Sequence, residues 1–293
     1  MISSNFTKQL LLILAGVVVL GLLYCAPKQE SEIAEKNNSV ETEESHEGHD
    51  HAEGEGHDHE HEGEFEDRLD DSDKEFIAGL EKRAKQIADV DTKLNLYDSL
   101  ITFSIRRNVP PLVAKYTEEK ARVVPTEVNF MLAGDNFFKA FRLSKLKPKD
   151  LVAGAIRNYE KVLELNPDNL QAQTAIGVAS VEGSSQLGIM PMKGIGILKD
   201  VLNKDPKNVD AMTNLGYFAI QSGQFEKAVK RFEGVLKIDP NNAEAYIYLT
   251  DAYLSQEKVE KGIETLEKYK SLVDDPIVIK QVEDYINEIR NKN

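Results

Sequence analysis

Residues 209–242 read VDAMTNLGYFAIQSGQFEKAVKRFEGVLKIDPNN and contain two short apolar patterns of helical period, separated by a serine–glycine pair. Pro240 cannot continue the second helix, so a turn is expected there. The pattern returns 34 residues later, where Leu249 occupies the place of Leu215. Because one such helix pair cannot bury its own apolar face, we expect neighbouring pairs to stack side by side.

A helix–turn–helix unit with this period resembles the tetratricopeptide repeat (TPR) family. The residues that match the family signature are Leu215, Gly216, Ala228, Phe232 and Pro240. The resemblance implies an all-α, TPR-type solenoid, which winds into a right-handed superhelix with a concave groove. Gly216 and Ala228 supply the small side chains that two closely crossing helices need.

The same pattern divides the rest of the chain into segments. We assign TPR units to residues 126–167, 170–206, 209–240 and 243–274, degenerate N-terminal helices to residues 71–125, and a C-terminal capping helix to residues 276–293. The first N-terminal helix is expected to begin with a Ser72 cap, since Glu75 follows three residues later. The second unit exceeds the 34-residue period, and its extra residues fall in the segment 183–193.

Segment 183–193 is unusual because it carries the apolar side chains Leu187, Ile189, Met190 and Met192. A turn between TPR helices is usually polar and tight, so these side chains need a place to go. Either they fold back and cover a helix end, or they form a docking loop for a partner. The second interpretation follows from the ability of methionine-rich apolar surfaces to adapt to several ligands.

The net charge of −14 is concentrated in one part of the chain. Residues 28–75 hold 20 acidic and four basic residues, whereas residues 76–293 are close to neutral. No concentrated basic patch compensates, which argues against nucleic acid as a partner. Cations on the N-terminal helices nevertheless offer the acidic segment a surface for transient contact. These are Arg106, Arg107, Lys115, Lys120, Arg122, Lys139, Arg142, Lys145, Lys147 and Lys149.

Residues 1–26 predict attachment to a membrane, because they contain 17 consecutive uncharged residues from Leu10 to Ala26. One interpretation is a signal-anchor helix, which suits Lys8 before it and acidic residues after it. The other is a lipoprotein-like signal that ends at Cys25, the only cysteine, although Tyr24 replaces the small residue expected before a lipidated cysteine. Both place the folded domain on the extracytoplasmic, periplasmic side. A cleaved ordinary signal is a third interpretation.

Residues 27–70 hold almost no large apolar side chains and are expected to form a disordered acidic linker. A chain of this length reaches roughly 35–40 Å on average, enough to hold a domain off the bilayer. The linker contains all six histidines of the protein: His46, His49, His51, His57, His59 and His61. Imidazoles interleaved with carboxylates predict either a weak site for Zn²⁺, Ni²⁺ or Cu²⁺ or a pH-sensitive polar spacer. No other cofactor is predicted.

The chemistry of residues 76–293 argues against an enzyme. This region contains no histidine, cysteine or tryptophan, and no phosphate-binding GxxxxGK[ST] motif. The short Gly194-Ile195-Gly196 sequence is better explained by helix packing than by dinucleotide binding. We therefore predict a non-enzymatic protein.

The family resemblance also implies a binding surface, since TPR proteins hold a peptide in the groove lined by the first helix of each pair. Carried onto this chain, the groove candidates are Asn214, Tyr217, Gln221, Tyr248, Asp251 and Ser255, with Thr174 and Val178 in the preceding unit. One TPR subclass clamps a peptide carboxylate with lysine and asparagine. In this chain those places hold Thr213 with Tyr217 in one unit and Ile247 with Asp251 in the next, so no carboxylate clamp is expected.

Together these features predict a scaffold or adaptor that recruits a protein partner at the extracytoplasmic face of a membrane. The alternative is a metal-handling protein. In that case the linker histidines collect Zn²⁺, Ni²⁺ or Cu²⁺, and the solenoid docks onto a partner.

Overall fold

The computed structural model describes Phe65 and residues 67–292 of the 293-residue chain. The predicted anchor, Cys25 and the six histidines lie outside the described residues. Within the described residues all regular structure is helical. The helices are α1 (Asp71–Gln86), α2 (Val90–Arg106), α3 (Pro110–Val123), α4 (Glu127–Leu143), α5 (Lys149–Leu165), α6 (Leu170–Glu182), α7 (Ser184–Leu187), α8 (Pro191–Lys204), α9 (Val209–Gln221), α10 (Phe225–Ile238), α11 (Ala243–Leu254), α12 (Val259–Lys270) and α13 (Pro276–Lys292).

These helices form antiparallel pairs that follow one another along the chain, which confirms the predicted all-α class. The pairs are α2 with α3, α4 with α5, α6 with α8, α9 with α10, and α11 with α12. Each pair also packs against the next, and α13 packs against α12 at the C-terminal end. The short helix α7 is an insertion between the two members of the third pair.

The first helices of three successive pairs begin in the same way. Asn169, Asn208 and Asn242 are the N-caps of α6, α9 and α11, and each side chain accepts a hydrogen bond of 2.9 Å from the backbone N–H three residues later. This bond satisfies one of the backbone donors that a helix leaves unpaired at its start. A proline lies two residues before each asparagine and ends the preceding helix. Each repeat therefore fixes, through its own residues, where its first helix begins.

The N-cap of helix α1 is Asp70, two residues earlier than the predicted Ser72. The Asp70 carboxylate accepts from the Asp73 N–H at 2.8 Å, while the Asp73 carboxylate accepts from the Asp70 N–H at 3.3 Å. These two bonds form a capping box. Ser72 instead donates its hydroxyl to Asp70 at 2.7 Å. The prediction failed because Asp70 and Asp73 already occupy both positions of the box.

Apolar side chains from adjacent pairs form successive hydrophobic layers along the described chain. One layer includes Tyr159 and Leu198, and the next includes Phe232 and Leu249. A third layer is closed by α13, whose buried face has helical spacing and consists of Val278, Val282, Ile286 and Ile289. Stacking thus removes from water the surfaces that no single pair can bury.

The close crossing of α9 and α10 depends on the small residues predicted from the sequence. A Cβ atom added to Gly216 would lie 2.6 Å from the Phe232 ring. Ala228, on the facing helix, is fully buried. Both observations confirm that these two positions must remain small for the helices to pack.

Candidate functional site

The inner helices α6, α9 and α11 line one continuous surface, which we call the groove. Helix α9 contacts both α6 and α11, in addition to its own partner α10. The side chains of Asp210, Asn214, Tyr217 and Gln221 lie three or four residues apart along α9, on one face of that helix. This face is only partly buried, so it is available to a ligand.

A pocket of about 520 Å³ opens within the groove. Its walls come from four helices and the turn before α11, and the lining residues are Arg142, Glu182, Val209, Asp210, Thr213, Asn214, Tyr217, Asn242, Glu244 and Tyr248. This volume lies within the range of known ligand pockets. The lining is mixed, with two aromatic rings among charged and amide side chains.

Tyr217 and Tyr248 form the aromatic part of the pocket. Their ring centroids are 5.6 Å apart, and the Tyr248 ring stacks on the buried Phe232 ring at 5.4 Å. Burial raises the pKa of Tyr217, and the Glu182 carboxylate adds a smaller increase. Burial also raises the pKa of Tyr248, and the Glu244 carboxylate adds a smaller increase. Both phenols therefore remain neutral at physiological pH and keep a hydroxyl proton to donate.

Arg142 and Glu182 form one wall of the pocket as a bidentate ion pair. The Arg142 Nε and Nη2 atoms lie 2.9 Å and 2.5 Å from the two Glu182 carboxylate oxygens. The guanidinium also lies over the Phe138 ring, 4.3 Å from its centroid. Because a bidentate contact fixes orientation as well as distance, this pair holds the end of α4 against the end of α6.

The structure brings only some of the predicted groove residues together. Asn214, Tyr217 and Tyr248 line the pocket. Gln221 lies beside it and donates to the Tyr217 hydroxyl at 2.7 Å. Asp251 lies further along α11 and Ser255 is its C-cap, and neither residue lines the pocket.

Two groove predictions on α6 are wrong. Thr174 and Val178 are 7% and 6% exposed, so neither is available to a peptide. The Thr174 hydroxyl donates to the Leu170 carbonyl at 2.8 Å, and Val178 is part of the core layer that includes Tyr159. The family register places these side chains on the groove face, whereas in the structure they are buried.

The charged part of the pocket was not predicted from the sequence. Arg142 and Glu182 are 40 residues apart, so neither the repeat period nor a local motif connects them. Asp210 and Glu244 carried a usable signal, because they are 34 residues apart and each is the second residue of an inner helix. The missed pocket residues are Arg142, Glu182, Val209, Asp210, Asn242 and Glu244.

Asp251 is half-buried on α11, and burial raises the pKa of its carboxyl group. Burial, with a smaller contribution from the Asp251 charge, raises the pKa of Tyr285 on α13 to about 12. Asp251 therefore faces the capping helix rather than the pocket. An ionised carboxylate in such a place costs stability, because burial removes it from water.

Segment 183–193 folds back in part, and its role as a docking loop stays a prediction. Leu187 ends the short helix α7 and packs against the core layer of α4, α5, α6 and α8, so it does fold back. Gly188 then takes a left-handed conformation with φ of 66°, which turns the chain outward. Met190 and Met192 are 76% and 61% exposed. The outward part of the segment thus presents two flexible apolar side chains to solvent.

The basic surface of the N-terminal helices is partly neutralised. Several of its cations form ion pairs with carboxylates, among them Arg107, Lys115, Lys120, Arg122 and Arg142. Lys147 donates to the backbone carbonyl oxygens of Phe141 and Arg142. The contact with the acidic segment remains a prediction, now with fewer cations to support it.

The described part of the chain contains neither a metal-binding cluster nor a membrane-spanning helix. No cluster of three or more histidine, cysteine, aspartate or glutamate side chains there has a metal-binding arrangement. None of the helices found there combines the length and the apolar character needed to cross a bilayer.

Comparison with known proteins supports the repeat assignment in the C-terminal half. Two family profiles, both described as tetratricopeptide repeat, match residues 219–278 and 197–230. The chain therefore contains tetratricopeptide repeats over the segment that forms α9 to α12. A comparison with curated protein sequences found no match.

Solved structures of a protein called MamA align with part of this chain. A crystal structure of MamA is 16% identical, with a TM-score of 0.42, and the match covers 61% of this chain and 91% of that one. MamA from Desulfovibrio magneticus RS-1 is 19% identical, with a TM-score of 0.43 and coverage of 61% and 94%. Likeness at this level bears on neither activity nor partner.

Proposed function

We propose that this protein is a non-enzymatic TPR scaffold, which binds a protein partner through a peptide segment held in the groove. The observation that carries the proposal is the pocket, where Tyr217 and Tyr248 stand among charged and amide side chains on inner helices. Tyrosine in a concave, partly desolvated setting is a residue type that dominates the binding energy of many protein interfaces. Two rings held in contact also lose little rotamer entropy on binding.

The double variant Tyr217→Ala, Tyr248→Ala is expected to weaken partner binding by about 30-fold or more, since truncating a hot-spot residue costs about 2 kcal/mol. Partners are first identified by crosslinking to the full chain in its native cell, and their affinity is then measured with the purified protein. Phe76→Ala is the control, because Phe76 is an exposed aromatic residue on α1, away from the pocket. Equal affinity of the wild-type protein and the double variant for every captured partner contradicts the proposal.

We further propose that the scaffold is attached to a membrane through residues 1–26 and acts on the extracytoplasmic, periplasmic side. The support is the uncharged run from Leu10 to Ala26, with a cysteine at its end and an acidic segment after it. A linker of about 44 residues would let the groove reach a partner at roughly 35–40 Å from the bilayer.

Cys25→Ser separates the two forms of attachment. If Cys25 carries a lipid, the variant is expected to lose that lipid and its signal processing, and to migrate as a larger precursor on a gel. If residues 10–26 form a signal-anchor helix, the variant keeps both its size and its sedimentation with membranes. Deletion of residues 1–26 is expected to release the protein from the membrane in either case. A deletion variant that still sediments with membranes contradicts the anchor proposal.

The histidine stretch supports a second candidate function, in which the protein collects Zn²⁺, Ni²⁺ or Cu²⁺. All six histidines fall within residues 46–61 and alternate with carboxylates. Replacing all six by asparagine is expected to abolish calorimetric binding of Zn²⁺ by the full chain. If this variant also abolishes the cellular role while the tyrosine double variant does not, metal handling replaces the scaffold proposal.

A further inference from the structure

The pocket has an excess of negative charge. Arg142 and Glu182 satisfy each other through two short hydrogen bonds, so together they contribute no net charge. The remaining ionised groups of the lining are Asp210 and Glu244. Within the described part of the chain, neither of these carboxylates is in an ion pair.

The positions of Asp210 and Glu244 allow a simpler explanation, which is helix stabilisation. Each is the second residue of its helix, where a carboxylate interacts favourably with the helix dipole. The dipole supplies only about half a positive charge per helix, so two helix ends leave the pocket negative.

The tyrosine rings add a second feature that favours a cation. The faces of aromatic rings attract an ammonium or guanidinium group within about 6 Å of the ring centroid. Tyr217 and Tyr248 line the same pocket as the two carboxylates, and their neutral hydroxyls add no competing positive charge. Asn214 and Thr213 supply neutral hydrogen-bonding groups beside them.

From this geometry we propose that the pocket takes the side chain of a lysine or arginine, presented by a partner peptide that lies in the groove. The inference rests on the proposed scaffold function and specifies the chemistry of the partner. The carboxylates of Asp210 and Glu244 bind the cationic group, while the stem of the side chain packs on the rings of Tyr217 and Tyr248. The acidic segment of this chain, residues 28–75, is excluded as the occupant because it carries 20 acidic residues and meets like charge.

The test uses the full chain in detergent micelles and a phage library of random peptides. Peptides are selected on the wild-type chain and counter-selected on the double variant Tyr217→Ala, Tyr248→Ala. The selected peptides are expected to share one lysine or arginine. Synthetic versions in which this residue is acetyl-lysine or citrulline are expected to bind at least tenfold more weakly, because acetylation and citrullination remove the charge.

The matching change in the protein is the double variant Asp210→Asn, Glu244→Gln, which is also expected to weaken the basic peptides at least tenfold. Its control is Glu226→Gln, Glu260→Gln, since these glutamates are the second residues of the outer helices α10 and α12. The control loses the same interaction with helix dipoles but leaves the pocket intact, so it is expected to bind like the wild type.

Each outcome of the test decides between the proposals. Peptides that depend on the tyrosines but share no basic residue overturn the cation pocket and leave the scaffold proposal standing. The same holds if the basic peptides bind Asp210→Asn, Glu244→Gln as tightly as the wild type. If no peptide depends on the tyrosines, both proposals fail.

Discussion

Replacing Phe232 by alanine is expected to lower the free energy of unfolding by about 3–5 kcal/mol, the usual cost of removing a buried phenylalanine side chain. Phe232 is fully buried in α10. Its ring fills the space that Gly216 leaves on α9 and stacks on the Tyr248 ring of α11 at 5.4 Å. One side chain therefore connects three helices, and its loss leaves a cavity directly behind the pocket.

The same variant is expected to weaken binding in the groove, because Tyr248 loses the surface that fixes its ring. Urea unfolding measures the stability, and the selected peptides measure the binding. Phe232→Leu fills part of the cavity and is expected to fall between the alanine variant and the wild type in both measurements. Phe76→Ala, at a position 47% exposed, is expected to change stability by less than about 1 kcal/mol. A cost for Phe232→Ala as small as that of Phe76→Ala contradicts this account of the core.

The repeat architecture of the C-terminal half could be predicted from the sequence, because the residues that specify it lie close together in the chain. Gly216 and Phe232 are 16 residues apart, and both belong to one helix pair. The period of 34 repeats a core leucine at Leu215 and Leu249 and a proline at Pro206 and Pro240, although Thr250 and Leu266 stand where Gly216 and Phe232 do. Reading one pair correctly therefore also predicts how the next one stacks.

The pocket could be predicted only in part from the sequence, because its walls come from units that depart from the 34-residue period. Arg142 is in α4 and Glu182 in α6, and the third pair contains the extra helix α7. Of the groove candidates on α9 and α11, Asn214, Tyr217 and Tyr248 line the pocket, whereas Asp251 does not. On α6, Thr174 is buried. A register counted from signature residues does not contain the rotation of a helix about its axis, because that rotation depends on how the helix packs against its neighbours.

In the N-terminal helices, the ion pairs could not be predicted from the sequence, for a different reason. The sequence presents Lys115 as a surface cation, yet it pairs with Glu81 at 2.7 Å. The same carboxylate also accepts from the buried Tyr116 hydroxyl at 2.7 Å. The two partners of Glu81 lie 34 and 35 residues further along the chain. Charge counts along the sequence cannot distinguish such pairs from free ions, because pairing depends on which helices meet.

Gly194→Ala is expected to lower the free energy of unfolding by about 1–3 kcal/mol, the usual range for overpacking a tight contact. A Cβ atom at Gly194 would lie 2.4 Å from the Gly177 carbonyl oxygen and 2.8 Å from the Val181 backbone nitrogen. Both atoms belong to the backbone of α6, so no side-chain movement relieves the clash. The helices α6 and α8 must separate, and the buried Leu198 between them loses contact.

Gly196→Ala is the matched control, since it makes the same chemical change two residues further along α8. A Cβ atom there would have no neighbour within 4 Å. Alanine favours a helix over glycine by about 1 kcal/mol, so this variant is expected to be more stable than the wild type. Urea midpoints measured side by side should therefore shift in opposite directions. If both variants gain stability, α6 and α8 do not approach as closely as described, and the packing role assigned to Gly194 is wrong.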